Sequence, residues 1–479
     1  MFGTLSQMTT RSWVRSPHSE AATLPDADSR EGGSDDPIHR APEHSPGGPQ
    51  PSLSRTRISA WASTARRHGL SALGPLGVSG AHFVAALILL RSLPTAEFGQ
   101  FSFAIVVSAL CLSLTNGLLG APLSSLVHSS SAATQSELNA YFKISLVLAG
   151  ALSVAMYAAM VCSGAAPSVS VVLGVYGGVM SLRLFARTYA YTTSRVRNAV
   201  LSDVFYSLCL LLGLAGLLAT RKVYLSTAAL VMASGSIVAL VPFGTHFLSD
   251  LVHSSTTGSM RAYRRIWHDM TRWSLSGVIT TEITVNAHAY LVTFICGSKT
   301  FALLAVGSLF MRPFSLIAAA LPDQERPAMA RKIAAGQPDL AMRIAKEFLF
   351  VIGAIWLATL GVTAAVLTWY PQLVTKKGYD RTDVIKVVVM WALITAVRGL
   401  RAPDMVLLQA ARAFRPLADA SAKSCVAAVL ATLLLLLAAG PIASLGGILI
   451  GDLVMWIIIM IGVQDYKLQN VQRKSVQLR

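Results

Sequence analysis

The sequence predicts an all-α protein that crosses a membrane about twelve times, in two six-helix lobes. Three observations predict it. Of 479 residues, 53% are hydrophobic and only 13% are charged, where a soluble domain carries about 25% charge. Mean hydropathy is +0.57. From about residue 70 onward, long apolar runs alternate with short polar loops, and one apolar helix crosses the hydrocarbon in roughly 20 residues. Together these exclude a soluble globular enzyme, a disordered chain and a disulfide scaffold.

Residues 1–56 read as a separate, disordered cytoplasmic tail. They are rich in Ser, Pro, Gly and His, as in APEHSPGGPQPS at 41–52, and hold too little apolar surface to offset the entropy of ordering. No apolar core of about 7–15 residues lies near Met1, so the segment does not read as a secretory signal. The triplet Asp26-Ala-Asp28 has the form of a metal-holding pair of carboxylates, and in such a tail it reads as chance. Spans follow near 71–90, 101–126, 142–163, 168–189, 199–220 and 223–243, then 273–295, 301–321, 346–369, 386–408, 421–440 and 444–463. The first six define a lobe over 57–258 and the second six a lobe over 259–465, with 466–479 a cytoplasmic tail.

The formal net charge is +17, from 40 Lys+Arg against 23 Asp+Glu. Because these residues sit between apolar runs, they read as orientation signals rather than as a nucleic-acid surface. With both termini inside, the cytoplasmic side receives 32 Lys/Arg and the other side eight: Arg91, Arg221, Lys222, Lys299, Lys376, Lys377, Arg381 and Lys386. The largest outer loop, about 370–385, is too short to fold as a domain. Cys111, Cys162, Cys209, Cys296 and Cys425 all lie in apolar segments without metal-ligand spacing, and their odd number gives no disulfide framework.

A weak internal repeat supports the two lobes. A shift of 206 residues aligns Trp61 with Trp267, Arg66 with Arg272, and Ala81-His82 with Ala287-His288; a loop three residues shorter then aligns Phe98 with Phe301. Six helices per half make both halves enter from the same side, so the repeat is parallel, with the substrate path between the halves.

No phosphate-binding G-x-x-x-x-G-K-[ST], H-E-x-x-H, C-x-x-C or G-x-S-x-G occurs, so neither an ATPase nor catalytic or metal chemistry reads from the chain. What stands out is ionisable groups inside spans, which are costly there and face the bundle interior or a water-filled cavity. Arg312 precedes Pro313 in the middle of the eighth span. Arg183 and Arg187 share a face of the fourth, and Arg398 and Arg401 a face of the tenth. With Asn116 and Asn286 these are the candidate binding residues, because guanidinium groups match phosphate oxygens bidentately. The blander account lets Arg183, Arg187, Arg398 and Arg401 snorkel to the cytoplasmic surface and Arg312 pair with Glu282. Glu282 and Asp452 are the candidates for coupling to a proton or sodium gradient, Glu282 the better of the two, with a hydrogen-bonded structural acid as the alternative. His82 and His288 read as core histidines. Gly74, Pro75, Gly77 and Gly80 read as close helix packing rather than a hinge, and Gly447 with Gly451 likewise.

The stretch ALILLRSLPTAEFGQFSFAIVVSALCLSLTNGLLGAPL at 86–123 resembles the start of bacterial polysaccharide (Wzx-type) flippases of the multidrug/oligosaccharidyl-lipid/polysaccharide (MOP) exporter superfamily. Residues 286–321 (NAHAYLVTFICGSKTFALLAVGSLFMRPFSLIAAAL) resemble the opening of that family's second half, with His288 where the common form has Asp. LLQAARAFRPLADASAKS at 407–424 resembles its loop before the eleventh helix. The resemblance implies a MATE/MOP-like fold and no enzymatic activity. It implies translocation of a polyprenyl-pyrophosphate-linked oligosaccharide across the bacterial inner membrane by alternating access, for exopolysaccharide or O-antigen-type polymer. The partners it implies are the lipid-linked oligosaccharide, the bilayer, and a polysaccharide polymerase and export complex. No cofactor follows from it. Two other readings stand beside it: a cation-coupled multidrug antiporter of the same superfamily, which needs more carboxylates in the first lobe, and a non-transporting accessory protein of polysaccharide assembly.

Overall fold

A computed structural model describes residues 74–123, 135–193, 195–257, 260–370, 379–411 and 413–477. All belong to one compact unit, Ala60–Arg479. The segment 1–56 with its Asp26-Ala-Asp28 triplet, and the repeat positions Trp61 and Arg66, lie outside the described residues. Those described are helical with short connections and contain no strand.

Six helices form the first group: α1 (Gly74–Ser92), α2 (Thr95–Leu123), α3 (Gln135–Cys162), α4 (Pro167–Thr192), α5 (Val196–Ala219) and α6 (Leu225–Phe243). A linker follows, made of α7 (Gly244–Thr257) and the short α8 (Met260–Ile266). The second group holds α9 (Arg272–Cys296), α10 (Ser298–Phe310), α11 (Arg312–Ala334), α12 (Pro338–Trp369), α13 (Arg381–Ala410), α14 (Phe414–Ala439) and α15 (Ser444–Gln477). Within the first group α3 packs on α4, and α4 on α6; within the second α14 packs on α15, and α13 on α15 and α12. Where they are described, the twelve expected spans fall on these helices, the eighth on two of them, α10 and α11. By length and composition ten single helices qualify as spans, and the bent pair α10–α11 brings the number to eleven. Outside that count lies α13, which carries Arg398, Arg401 and Asp404 in its apolar run.

The eighth span departs from the expectation of one straight helix. The axis turns by 60° between α10 and α11. Pro313 explains the position: it has no N–H to offer the Leu309 carbonyl, its ring crowds that carbonyl, and it disfavours helical backbone at the residue before it. The chain therefore stops at Met311 (φ −91°, ψ 0°) and starts again with Pro313 in the first turn of α11. Arg312 thus stands at a helix break and not in mid-helix.

Proline explains a second irregularity. Near its end α2 widens into a π-turn over Asn116–Gly120, where the Ala121 N–H reaches back to the Asn116 carbonyl. Pro122 follows. In an α-helix its N–H would serve the Leu118 carbonyl four residues earlier; it has none, and the turn widens to relieve the clash. A second π-turn, Trp267–Thr271, joins α8 to α9.

The two groups meet along α2, which packs against α9 and α10. At the end of the bundle that holds Pro94 and Gly297, Gly99 of α2 lies against the Ser298 carbonyl and the Ala302 methyl. A Cβ at Gly99 would occupy the space of that carbonyl. Phe103 seals the same level edge-on against Tyr290, Phe294 and Phe301, at centroid distances of 6.0, 5.4 and 6.3 Å. Phe98 and Phe301, paired by the repeat, start equivalent helices that face each other here. At the opposite end, which holds the α7–α8 linker, Gly117 sits on Val278 and Leu275 of α9. Gly99→Leu is expected to hold the Pro94 end apart. A cysteine placed at Phe103 in a background without the native cysteines should then react with a soluble maleimide several-fold faster than in the parent. Equal rates would show that this approach does not shut that end.

The glycine reading of α1 holds in part. Gly74 packs closely, against the Asp203 carboxylate, while Gly77 and Gly80 face open space. Gly447 and Gly451 do pack, against Thr432 and Ala428 of α14. All five cysteines are free.

Candidate functional site

In the first group two arginines share one aspartate. Arg183 and Arg187, one turn apart on α4, both point at Asp203 of α5. The Arg183 Nη2 to Oδ1 distance is 2.5 Å and the Arg187 Nη2 to Oδ2 distance is 3.0 Å. Arg183 is 2% exposed and Asp203 1%. Arg183 also donates from Nε to Ser202 Oγ at 3.0 Å and lies over the Tyr206 ring, 4.6 Å from its centroid. A hydrogen-bonded chain continues the cluster: His82 Nε2 to Tyr206 Oη is 3.0 Å, and Tyr206 Oη to Tyr176 Oη is 3.3 Å. The cluster therefore ties α1, α4 and α5 together.

The second group repeats the stoichiometry with different helices. Arg398 Nε donates to Asp452 Oδ2 at 2.8 Å, and Arg401 Nη2 lies 2.9 Å from Oδ1. Arg401 also touches the Met455 thioether. Asp452 is fully buried. Here the carboxylate comes from α15, the sixth span of its group, whereas Asp203 comes from the fifth. None of these four arginines snorkels away from the bundle, because a buried carboxylate holds each one. Burial of the ions needs this pairing, since an isolated charge in an apolar interior is costly. Each cluster keeps unmet donors: Arg187 Nε and Arg398 Nη2 are buried with no hydrogen-bond partner.

Arg312 differs. It is half-buried at the α10–α11 break, and among the described residues it has neither an ion pair nor a hydrogen bond. It lies close enough to His82, as Arg183 does, for its charge to act on the imidazole. The alternative of an Arg312–Glu282 bridge is not what the structure shows. Glu282 instead accepts from Ser113 Oγ of α2 at 2.5 Å and from Asn286 Nδ2 at 2.8 Å. The pairing of Glu282 with Asn286 on one face of α9 follows their spacing of four, but the bond to Ser113 joins the two groups. Asn116 is exposed in the π-turn, one turn beyond Ser113. His288 is a core residue, 4% exposed between Phe301 and Trp391; His82 is half-buried and part of the tyrosine chain.

Of the five candidate arginines, four face Asp203 or Asp452; Glu282 is held by Ser113 and Asn286, and half-buried Asp404 also lies in the apolar run of α13. These five arginines outnumber the four carboxylates Asp203, Glu282, Asp404 and Asp452 by one, and Arg312, with no ion pair among the described residues, stands at a helix break. Sequence reasoning missed Asp203, Ser113 and the His82–Tyr206–Tyr176 chain. Asp203 was open to discovery as a lone acid in an apolar run; the others show no signal in a single sequence.

The fold and these buried clusters define a polytopic helical membrane protein. Among solved structures, the lipid II flippase MurJ in an inward closed conformation matches with a TM-score of 0.64 and 11% identity. That match covers 82% of this chain and 87% of that one. A MATE structure in the straight conformation matches with a TM-score of 0.55 and 13% identity over 85% and 96% of the two chains. A multidrug resistance MATE family transporter of the MOP superfamily, in its inward-facing conformation, matches with 0.54 and 14% over 85% and 95%. No protein-family model and no curated protein matches the chain in sequence. The likeness is one of fold: the chain shares the helical architecture of these structures.

Proposed function

We propose that the chain is a flippase that moves a polyprenyl-pyrophosphate-linked oligosaccharide repeat unit to the outer leaflet of a bacterial inner membrane, by alternating access between its lobes. The product supplies exopolysaccharide or O-antigen-type polymer synthesis, through a polymerase and export complex. The observation that carries this reading is Arg312, a half-buried arginine at a helix break of an apolar bundle, with no counter-ion among the described residues. A guanidinium there needs an anion, and a pyrophosphate diester brings one negative charge on each phosphate in a geometry that matches the planar fork.

In this reading the headgroup meets Arg312 together with the unmet donors of the Arg183/Arg187 and Arg398/Arg401 clusters. Asn116 and Asn286 meet sugar hydroxyls. The lipid chain stays in the bilayer. The excess of Lys and Arg puts the linker end and both termini in the cytoplasm. Asp452 is engaged by two guanidinium groups and Glu282 by none, so Glu282 is the carboxylate free to take up a proton or cation. The MATE neighbours favour one other reading, a multidrug antiporter; an interior with surplus positive charge repels the cationic drugs such a carrier would bind.

A strain lacking the gene tests the proposal. Loss of surface polymer, with full-length lipid-linked precursor trapped in the cytoplasmic leaflet, is the expected result. Normal polymer, or precursor reaching the outer leaflet unhindered, would overturn it. Glu282→Gln should slow transport and remove its response to an imposed proton or sodium gradient, measured in proteoliposomes. A variant as gradient-sensitive as the parent would dismiss Glu282 from coupling.

A further inference from the structure

The linker between the two helix groups supplies a hydroxyl to a carbonyl that proline has orphaned. Pro122 has no N–H, so the Leu118 carbonyl loses its helical donor at the π-turn of α2. Tyr263 of α8 fills the place: its Oη donates to the Leu118 carbonyl at 2.5 Å. The same oxygen lies 3.3 Å from Thr271 Oγ1, in the second π-turn at the start of α9. Thr271 is fully buried and Tyr263 is 7% exposed. The Tyr263 ring is fixed edge-on by Tyr141 of α3, with centroids 5.7 Å apart and planes at 88°. One hydroxyl therefore joins two π-turns, one in the first group and one where the linker meets α9, at the end where Gly117 rests on α9.

The geometry points to Tyr263 as a positioning residue that holds the linker end shut. While the linker is docked, the Leu118 carbonyl is satisfied without water. When the two groups part at this end, Tyr263 leaves, and the carbonyl must find water or rebuild the helix around it. A backbone carbonyl left unpaired in a dry, apolar setting is strongly unfavourable. Docked linker and dry closed end are thus coupled through one bond, and widened turns of this kind recur at functional sites. The sense of the motion rests on the alternating-access reading; the substrate does not enter.

The test uses the full chain in nanodiscs, with the native cysteines replaced and spin labels at Arg197 of α5 and Ala334 of α11, both exposed near the linker end. Distances are read by double electron–electron resonance without substrate. Tyr263→Phe keeps the ring and removes the hydroxyl, and the long-distance population is expected to rise several-fold. Pro122→Ala gives residue 122 an N–H for the Leu118 carbonyl, so in that background Tyr263→Phe should produce little or no further opening. Tyr141→Phe removes a hydroxyl that has no partner and should leave the distances unchanged. An unaltered distribution in Tyr263→Phe would overturn the inference. So would equal opening by Tyr263→Phe with and without Pro122→Ala, because the hydroxyl would then act on something other than the proline-orphaned carbonyl. If Tyr263→Phe alone does not accumulate, the comparison within the Pro122→Ala background still decides: opening there counts against the inference, and none supports it. Because no substrate is present, either result leaves the proposed cargo to its own experiment.

Discussion

Arg312→Ala is expected to abolish translocation in a protein that still inserts and folds. Among the described residues Arg312 serves no ion pair and no hydrogen bond, so removing it leaves no partner stranded. It even relieves an uncompensated charge. Stability should hold or rise slightly, while the anionic headgroup loses the one guanidinium that needs it most. Arg312→Lys should restore part of the activity, since lysine supplies the charge without the bidentate fork. The measurement is flipping of lipid-linked oligosaccharide in proteoliposomes beside a thermal melt in detergent. Normal flipping by Arg312→Ala would remove this residue from the site. A collapsed melt would mean that its role is structural.

Asp203→Asn is expected to do the reverse, with its largest effect on stability. The substitution keeps the shape and deletes the charge that a buried guanidinium, Arg183, and a half-buried one, Arg187, share at 2.5 and 3.0 Å. Breaking a buried ion pair from one side costs about 3–5 kcal/mol, because the remaining charge stays buried. Here two remain, and the Asp203 carboxylate also meets α1 at Gly74. The melt should fall well below the parent's. Adding Arg187→Gln, which removes one of the two stranded charges, should recover a substantial part of the loss. A melt within a degree or two of the parent's for Asp203→Asn alone would show that water reaches these arginines, and the cluster would then belong to an open cavity.

The helices were legible because apolar runs of span length leave little freedom in a bilayer, and where they are described the twelve predicted spans fall on helices. The arginines were legible for the same reason: a charge in an apolar run is conspicuous. Their partners were not. Arg183 and Asp203 lie twenty residues apart on different helices, Arg398 and Asp452 fifty-four apart, and single-sequence spacing speaks only of one helix face. The break at Arg312 was written in plain view as Pro313, but its consequence depends on which way the chain relieves the proline. The Pro122–Leu118–Tyr263 relation was beyond reach, because the donor lies 145 residues from its acceptor.

The different reach of two interior carboxylates, Asp203 and Glu282, has a mechanical consequence. Asp203 and the Tyr206 hydroxyl grip α1 at Gly74 and at His82, two anchor points about 12 Å apart along the helix axis. A rod clamped at two points travels with its mount and cannot swivel alone. The counterpart helix α9 is clamped differently: Glu282 reaches across to Ser113 in the opposite group. The bundle is therefore a lopsided rocker. One leading helix is a passenger of its own half, and the other is a tie rod between the halves that must slip before they can tilt.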